Sequence, residues 1–501
     1  MLSLRHPLTL LAAALSIGVV ADLLFYGRAP GLSAPLFVGL ILAALGALAR
    51  AEGRPPTAAN RWLGAAALLF AALVAVRASP LLIALNILTA LGLLLLHAAF
   101  YHAAPLARLE GWRAGAGAAL AAIEAALLPA PLMLQQAGRL GALRTHSRAL
   151  LVVGRGAVLA TPVLLVFTGL LALADSIFAS YVSDLLRLQL PFDLELVGGH
   201  LALIGVVAWG AAGGLLVALR ERPAGDLLGP PAELPAEGET QRLRAIPSLR
   251  FLGWGEALTV LTLVDLLFGA FMLVQGAYLF GGLDTLERTG MTFAQYARRG
   301  FFELVTVACL ALGLLWALAT VTRRESAWQR RAFVGACGAM VALVLGMLAS
   351  AALRMWLYEQ AYGFTTLRLL THSWMAWLAI VLLLFLVALV CDRPRWFSMG
   401  LPAAAAAYVL ALNLLNPDAM IVRENLARYK LTGDLDTYYL TTLSADAAPA
   451  LAAALPELGE HQVVVAEHLR ELRDELLRAA ERDGLPGWNL GRARAIRAAP
   501  L

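Results

Sequence analysis

The chain has 501 residues, of which 60% are hydrophobic and 15% charged, and its mean hydropathy is +0.75. Soluble globular proteins average about 45–50% apolar and about 25% charged residues, so the composition excludes an ordinary array of soluble domains and points to an α-helical membrane protein. The net charge of +5 rests on arginine, since Lys430 is the only lysine, and membrane topology accounts for it without nucleic acid.

Apolar runs of roughly 17–25 residues are long enough to cross a bilayer as helices. They predict eleven spans, at about 8–26, 32–48, 62–77, 80–100, 152–174, 197–219, 256–280, 301–320, 332–353, 371–391 and 397–415. Arg5 before the first run resembles a signal peptide, but further spans follow at once, which favours a retained first helix. The Ala-rich stretch 113–134 carries Glu124, Pro129 and Pro131, and fits a surface-lying or half-inserted helix better than a span. Gly210 and Gly214 form a GxxxG pair, read as helix packing. The segment 220–250, rich in Pro, Gly and charge, reads as a flexible linker. Cys309, Cys337 and Cys391 lie in apolar runs and read as small buried hydrophobes, with no disulfide framework.

After Leu415 the chain turns polar and keeps a helical period. The predicted fold is therefore all-α, a polytopic membrane helix bundle of about 11 spans with a small C-terminal helical soluble domain. Its parts are a first membrane half (1–219), a cytoplasmic linker (220–250), a second membrane half (251–415) and an extracytoplasmic helical tail (416–501). The orientation follows from arginine placement: with the N-terminus inside, inner segments hold 21 arginines and outer loops 8.

No HExxH, CxxC, Walker loop or GxSxG is present, so no metal ligand set, cofactor or catalytic residue is assigned. His97 and His102 near a helix end read as polar interfacial residues. His461 and His468, seven apart, read as a solvated helix face. Charges within or beside spans carry more information, because burying them is expensive. These are Asp22, Asp175 and Asp265, of which Asp265 is the deepest; a hydrogen bond to a neighbouring helix is the plain reading and a proton or cation relay the sharper one.

The stretch "TFAQYARRGFFELVTVA" places a capping-box pattern, Thr292 to Gln295, before Tyr296, Arg298 and Arg299, then a glycine joint. Glu303 follows Arg299 by one turn, the spacing of a helical ion pair. The other outer segments add Arg354, Tyr358, Glu359, Arg368 and His372 between two spans, and Asn416, Asp418 and Asn425 after the last. Together they make a candidate polar site at one face. Such a site suits an anionic lipid headgroup or a cell-envelope intermediate, or equally serves as a collar that docks the tail.

These residues lie in an ordered set of motifs: "ALADSIFA" (172–179), "AYLFGG" (277–282), "TFAQYARRGFFELVTVA" (292–308), "LYEQAYGFTTLRLLTH" (357–372), "NPDAMIVRENLARY" (416–429), "LDTYYLTTLSADAAPAL" (435–451), "WNLGRARA" (488–495) and, more loosely, "ADLLFYGRAPGLS" (21–33). The set resembles bacterial polytopic membrane proteins of the domain-of-unknown-function four-one-seven-three type, with four-one-five-three relatives. The resemblance implies a bacterial cytoplasmic (inner) membrane, the bundle-plus-tail layout and no assigned activity, so no catalytic residue carries over. Two functions follow as expectations. The first is a non-enzymatic envelope protein for binding, sensing or transport. The second is a membrane transferase on a lipid-linked or polyprenyl-linked substrate, with Asp175, Glu303 or Glu359 as its acid or base.

Overall fold

The computed structural model describes residues 4–54, 56, 60–102, 111–139, 194–220, 252–280 and 301–500. Helices dominate them, and the one β contact is an isolated bridge between Leu252 and Thr322. In chain order the first seven are α1 (Pro7–Phe25), α2 (Ser33–Ala51), α3 (Arg61–Val74), α4 (Pro80–Ala99), α5 (Gly111–Leu127), α6 (Pro129–Arg139) and α7 (Leu194–Leu219). Next come α8 (Trp254–Phe280), α9 (Phe301–Val321), α10 (Ala327–Tyr362), α11 (Thr366–Val390) and α12 (Pro394–Leu415). The remainder is α13 (Pro417–Thr432), α14 (Thr437–Thr441), α15 (Ala448–Ala454), α16 (Gln462–Asp483) and α17 (Leu490–Ala498).

Among the described residues, eight helices are long and apolar enough to cross a membrane, or nine if the pair Met399–Leu415 and Pro417–Thr432, bent by 53°, is one span. The chain is thus a multi-pass membrane protein. Three of the eleven expected spans stand apart from those eight. The run 62–77 forms α3, whose 14 residues reach about 21 Å, short of a hydrocarbon core of about 30 Å. The run 397–415 is the first arm of the bent pair, and 152–174 lies outside the described residues. The stretch 113–134 forms two helices, α5 and α6, broken before Pro129, where a proline ring cannot continue the ladder. The linker 220–250 lies outside the described residues beyond Arg220.

The chain divides into two compact units. Unit 1 holds Met1–Leu106, Arg113–Pro231 and Asp474–Ala493. In it α1 and α7 pack antiparallel, and Gly18 is the close approach: a Cβ there would lie 2.5 Å from the Ile204 carbonyl oxygen. On α7, Gly213 is the close approach to α5, where a Cβ would collide with the Ala125 carbonyl. Among the described residues, nothing lies within 4 Å of such a Cβ at Gly210 or Gly214. The close contact of α7 with α5 is thus, among the described residues, at Gly213, about 100° round the helix from Gly214.

One end of unit 1 gathers the N-terminus of α1 with Glu52, whose carboxylate accepts from Arg5 N at 2.9 Å and His6 N at 2.8 Å. There the anion meets the positive end of the α1 dipole. Arg54 donates to the Leu219 carbonyl and Arg220 pairs with Glu124 at the same end. The opposite end receives the tail. Leu32 N donates to the Trp488 carbonyl at 2.9 Å, Ser33 N to the Pro486 carbonyl at 2.8 Å and Leu490 N to the Ala75 carbonyl at 2.7 Å. Asn489 Nδ2 bridges the carbonyls of Val74 and Arg77, each at 2.8 Å. Asp483, 1% exposed, pairs with Arg482 at 2.9 Å and Arg492 at 3.6 Å.

Unit 2 holds Ala107–Trp112, Ala232–Arg473 and Arg494–Leu501. Its core is a cluster from α8, α9, α10, α11 and α12 that includes Leu261, Leu315, Phe333, Met340, Val344, Leu378, Leu382 and Phe385. Ser326 and Gln329 form a reciprocal capping box at the start of α10. The 36 residues of α10 extend about 54 Å, well beyond a hydrocarbon core. Large apolar side chains such as Leu263, Leu266, Leu267 and Leu273 are exposed, as lipid-facing positions require. Of the cysteines, Cys337 is buried whereas Cys309 and Cys391 are exposed, because only Cys337 points into the bundle. His97 is buried rather than interfacial, edge-on to Tyr101 at 5.3 Å.

Candidate functional site

The corner between α10 and α11 assembles most of the described site residues. Gly363 takes φ +75°, which ends α10 because L side chains rarely adopt it, and its N–H returns to the Glu359 carbonyl at 2.8 Å. Thr365 caps α11, its side chain accepting from Arg368 N at 3.5 Å. Between them Phe364 is clamped at two points. Its N–H donates to Asn425 Oδ1 at 2.9 Å, and its carbonyl accepts from Asn425 Nδ2 at 2.8 Å. Arg428 donates to the Gln360 carbonyl at 3.1 Å, and the Tyr439 hydroxyl accepts from Thr366 N at 2.7 Å.

Arg368 folds back over the corner. Its Nη1 donates to the Tyr362 carbonyl at 3.0 Å and to that of Gly363. Its guanidinium lies 4.4 Å from the centre of the Tyr358 ring, a cation–π contact, and the rings of Tyr358 and Tyr362 are 4.9 Å apart.

A second group surrounds the joint of α12 and α13. Asn416 is left-handed at φ 51°, which asparagine tolerates. Its Oδ1 accepts from Ala419 N at 3.4 Å to cap α13, while Nδ2 donates to the Asp446 carbonyl at 3.2 Å. Asp418, buried, accepts from the Ser444 hydroxyl. Asn416, Asp418 and Asn425 thus bond α13 to its neighbours. His461, expected on a solvated face, bonds the Thr437 hydroxyl at 2.9 Å.

Glu359 is different. It is 1% exposed, its Oε2 lies 3.3 Å from His372 Nδ1, and its Oε1 is buried without a hydrogen-bond partner among the described residues. Arg354, also buried, lies five residues earlier on the same helix. Of the other expected site residues, Asp175, Tyr296, Arg298 and Arg299 lie outside the described residues, as does the side chain of Glu303 at the start of α9. Asp265 in α8 has a buried Oδ1 with no partner among the described residues.

Asp22 has a partner that sequence reasoning missed. His200 Nδ1 lies 2.8 Å from both its carboxylate oxygens, and Tyr26 stacks on the imidazole with ring centres 3.7 Å apart. Gly199 makes room for that stack, since a Cβ there would lie 2.4 Å from the Tyr26 hydroxyl. The two residues are 178 apart in sequence, so no spacing announces the pair. The available signal was the histidine itself near the start of an apolar span, an ionisable group that lipid disfavours.

Among the described residues, no group of three or more His, Cys, Asp or Glu is placed to hold a metal ion. What the arrangement offers instead is two hydrogen-bonded carboxylate–imidazole pairs and a set of side-chain clamps on backbone groups. A family model described as a domain of unknown function (DUF4153) matches residues 64–454. That range takes in the motif segments 292–308, 357–372, 416–429 and 435–451, and leaves 21–33 and 488–495 outside. No curated protein and no solved structure matches the chain.

Proposed function

The chain belongs to the DUF4153 family, a domain of unknown function, and on that premise we propose that it is a bacterial inner-membrane protein of the cell envelope that binds an anionic ligand at its extracytoplasmic face. In this reading the chain crosses the membrane eleven times from a cytoplasmic N-terminus, with the short α3, the first arm of the bent pair and 152–174 counted as crossings beside the eight helices of spanning length. The linker 220–250 is cytoplasmic, and the tail 416–501 forms a helical domain outside. The protein acts as a binding, sensory or transport component rather than as an enzyme.

The observation that carries the reading is the location of the tail in unit 1. Residues 483–492 dock on the loops after α1 and α3, at the end of α1 away from Arg5. The end that holds Arg5, Arg54 and Arg220 is the one that arginine bias assigns to the cytoplasm. Along the chain, the corner 362–366 and the joint at Asn416 fall on the tail's side by the parity of the eleven spans. The clamps there use their polar atoms on backbone. The cationic recognition groups of this reading are Arg298 and Arg299, suited to an anionic headgroup or envelope intermediate.

The test is native mass spectrometry of the full-length protein purified in mild detergent. The wild type is expected to retain an anionic lipid or glycan, and the double variant Arg298→Ala, Arg299→Ala to lose at least about tenfold of that occupancy, as removal of charge-assisted hydrogen bonds entails. Equal retention by both proteins would sink the reading.

A further inference from the structure

We propose that the end of unit 1 opposite the tail holds the phosphate of an anionic phospholipid between Arg50, Arg61 and the Tyr101 hydroxyl. Three helices meet there. Arg50 lies in the last turn of α2 and Arg61 opens α3, while Tyr101 follows the end of α4 at Ala99. Gly64, one turn into α3, lets the other two helices come close. A Cβ there would lie 3.2 Å from Leu42 Cδ2 on α2 and 3.4 Å from His97 Nε2 on α4. Asn60, 1% exposed, ties the loops together. Its Nδ2 donates to the Phe100 carbonyl at 2.8 Å, and its backbone bonds the His97 imidazole. Residues 60 and 100 are fixed to each other, which brings the next residue of each segment, Arg61 and Tyr101, to the same corner.

Arginine at this end of a membrane protein has an ordinary explanation in topology. Three features go further. The first is Tyr101 itself. Its ring stands edge-on to His97 at 5.3 Å and to His102 at 4.9 Å, and the residue is only 3% exposed. Burial pushes the phenol up, and the Arg50 and Arg61 guanidinia beside it pull it back. Both cations therefore face the hydroxyl. A phenol O–H donates to an anion, and guanidinium groups present paired donors that match phosphate oxygens.

The second feature is the shortage of acid. Glu52 is the only acid between Asp22 and Glu110, and its two oxygens accept from Arg5 N and His6 N at the start of α1. The segment that supplies Arg50 and Arg61 thus supplies no carboxylate to neutralise them. Of the neighbouring groups, Arg54 donates to the Leu219 carbonyl and Arg220 pairs with Glu124. The third feature is where the corner leads. Trp62, 45% exposed, and Leu69, 47% exposed, are seven apart on one face of α3. That open apolar face starts beside Arg61 and suits an acyl chain beneath a headgroup, whereas a free phosphate has no use for it.

The experiment sets a benzophenone beside the corner, Trp62→p-benzoylphenylalanine, in the full-length protein. The nanodiscs are phosphatidylcholine with a minor share of phosphatidylglycerol, and peptide mass spectrometry reads which lipid is captured on illumination. With both arginines present, phosphatidylglycerol is expected to be captured at least about tenfold above its share of the bilayer, as two arginines at a membrane surface entail. Arg50→Gln with Arg61→Gln should bring capture down to that share. Capture in proportion to the bilayer with both arginines present, or enrichment unmoved in the double variant, overturns the proposal. Where the double variant fails to fold, Tyr101→Phe, which keeps the buried ring, takes its place. Enrichment should then fall about threefold or more as a hydrogen bond to a charged group is lost, and unchanged enrichment overturns the proposal equally. Inorganic phosphate in millimolar excess is expected to leave the adduct intact; displacement by it would assign the corner to free phosphate and overturn the lipid. The site does not rest on the binding role of Arg298 and Arg299. Arg298→Ala with Arg299→Ala should leave this adduct unchanged, and its loss there would overturn the placement at this end.

Discussion

Gly31→Ala is expected to detach the tail from unit 1. A Cβ at Gly31 would lie 2.3 Å from the Trp488 carbonyl oxygen and 2.7 Å from that of Gly487. Both are backbone atoms, so no rotamer change relieves the overlap and the two chains must separate. The bonds on either side then go with it, Leu32 N to Trp488 and Ser33 N to Pro486. The Asn489 bridge to Val74 and Arg77 and the Arg492 bond to the Pro30 carbonyl depend on the same register. Each such bond contributes about 0.5–1.5 kcal/mol net, and losing three or four of them costs about 3 kcal/mol. Tryptic cleavage after Arg492, whose side chain is only 17% exposed, reads this directly. It should accelerate by at least about tenfold, since about 1.4 kcal/mol already shifts an opening equilibrium that far. Unchanged protection in the variant would contradict the docking.

Asn425→Ala carries the second large effect. It strips both hydrogen bonds from Phe364 and leaves a partly buried N–H and carbonyl unmatched at a corner between two membrane helices. The expected cost is about 2–4 kcal/mol, because an orphaned buried group forfeits its full desolvation rather than the modest net value of a bond. In a thermal unfolding measurement in detergent the midpoint should fall by about 5 °C or more. Gly363→Ala attacks the same clamp from the other side, since its φ of +75° disfavours a side chain and its Cβ would lie 2.5 Å from Asn425 Oδ1. The double variant is therefore expected to lose less than the sum of the two. Additive losses, or an unmoved midpoint in Asn425→Ala, would show that the clamp does not hold the corner.

The membrane helices were legible in the sequence because lipid demands long apolar runs, and the eight helices of spanning length lie on runs read that way. The corner at Gly363 and Thr365 and the joint at Asn416 and Pro417 went unread in the sequence, where these segments stood only as family motifs; the structure gives them as a helix end, a helix cap and the start of α13. What also escaped reading was pairing across distance. Nothing in the neighbourhood of Asp22 names His200, and nothing near Asn425 names Phe364, because lipid-exposed helices can approach on any side. Gly213 shows the same limit. Sequence spacing singled out Gly210 and Gly214, but which side of α7 meets α5 is decided by tertiary packing. The tail's docking residues, Asp483 and Asn489, looked like an ordinary polar segment, and their meaning lies in the loops they grip.

The account stands most on the claim that the tail-bearing end of unit 1 is extracytoplasmic. Leu485, 72% exposed in the docked tail, and Ala51, exposed at the end of α2 on the opposite side, are suitable reporters. Each is replaced by cysteine in a background without Cys309, Cys337 and Cys391, and spheroplasts are treated with a membrane-impermeant maleimide. The account predicts that Leu485→Cys is labelled in sealed spheroplasts and Ala51→Cys only after the membrane is permeabilised; the reverse pattern would contradict it.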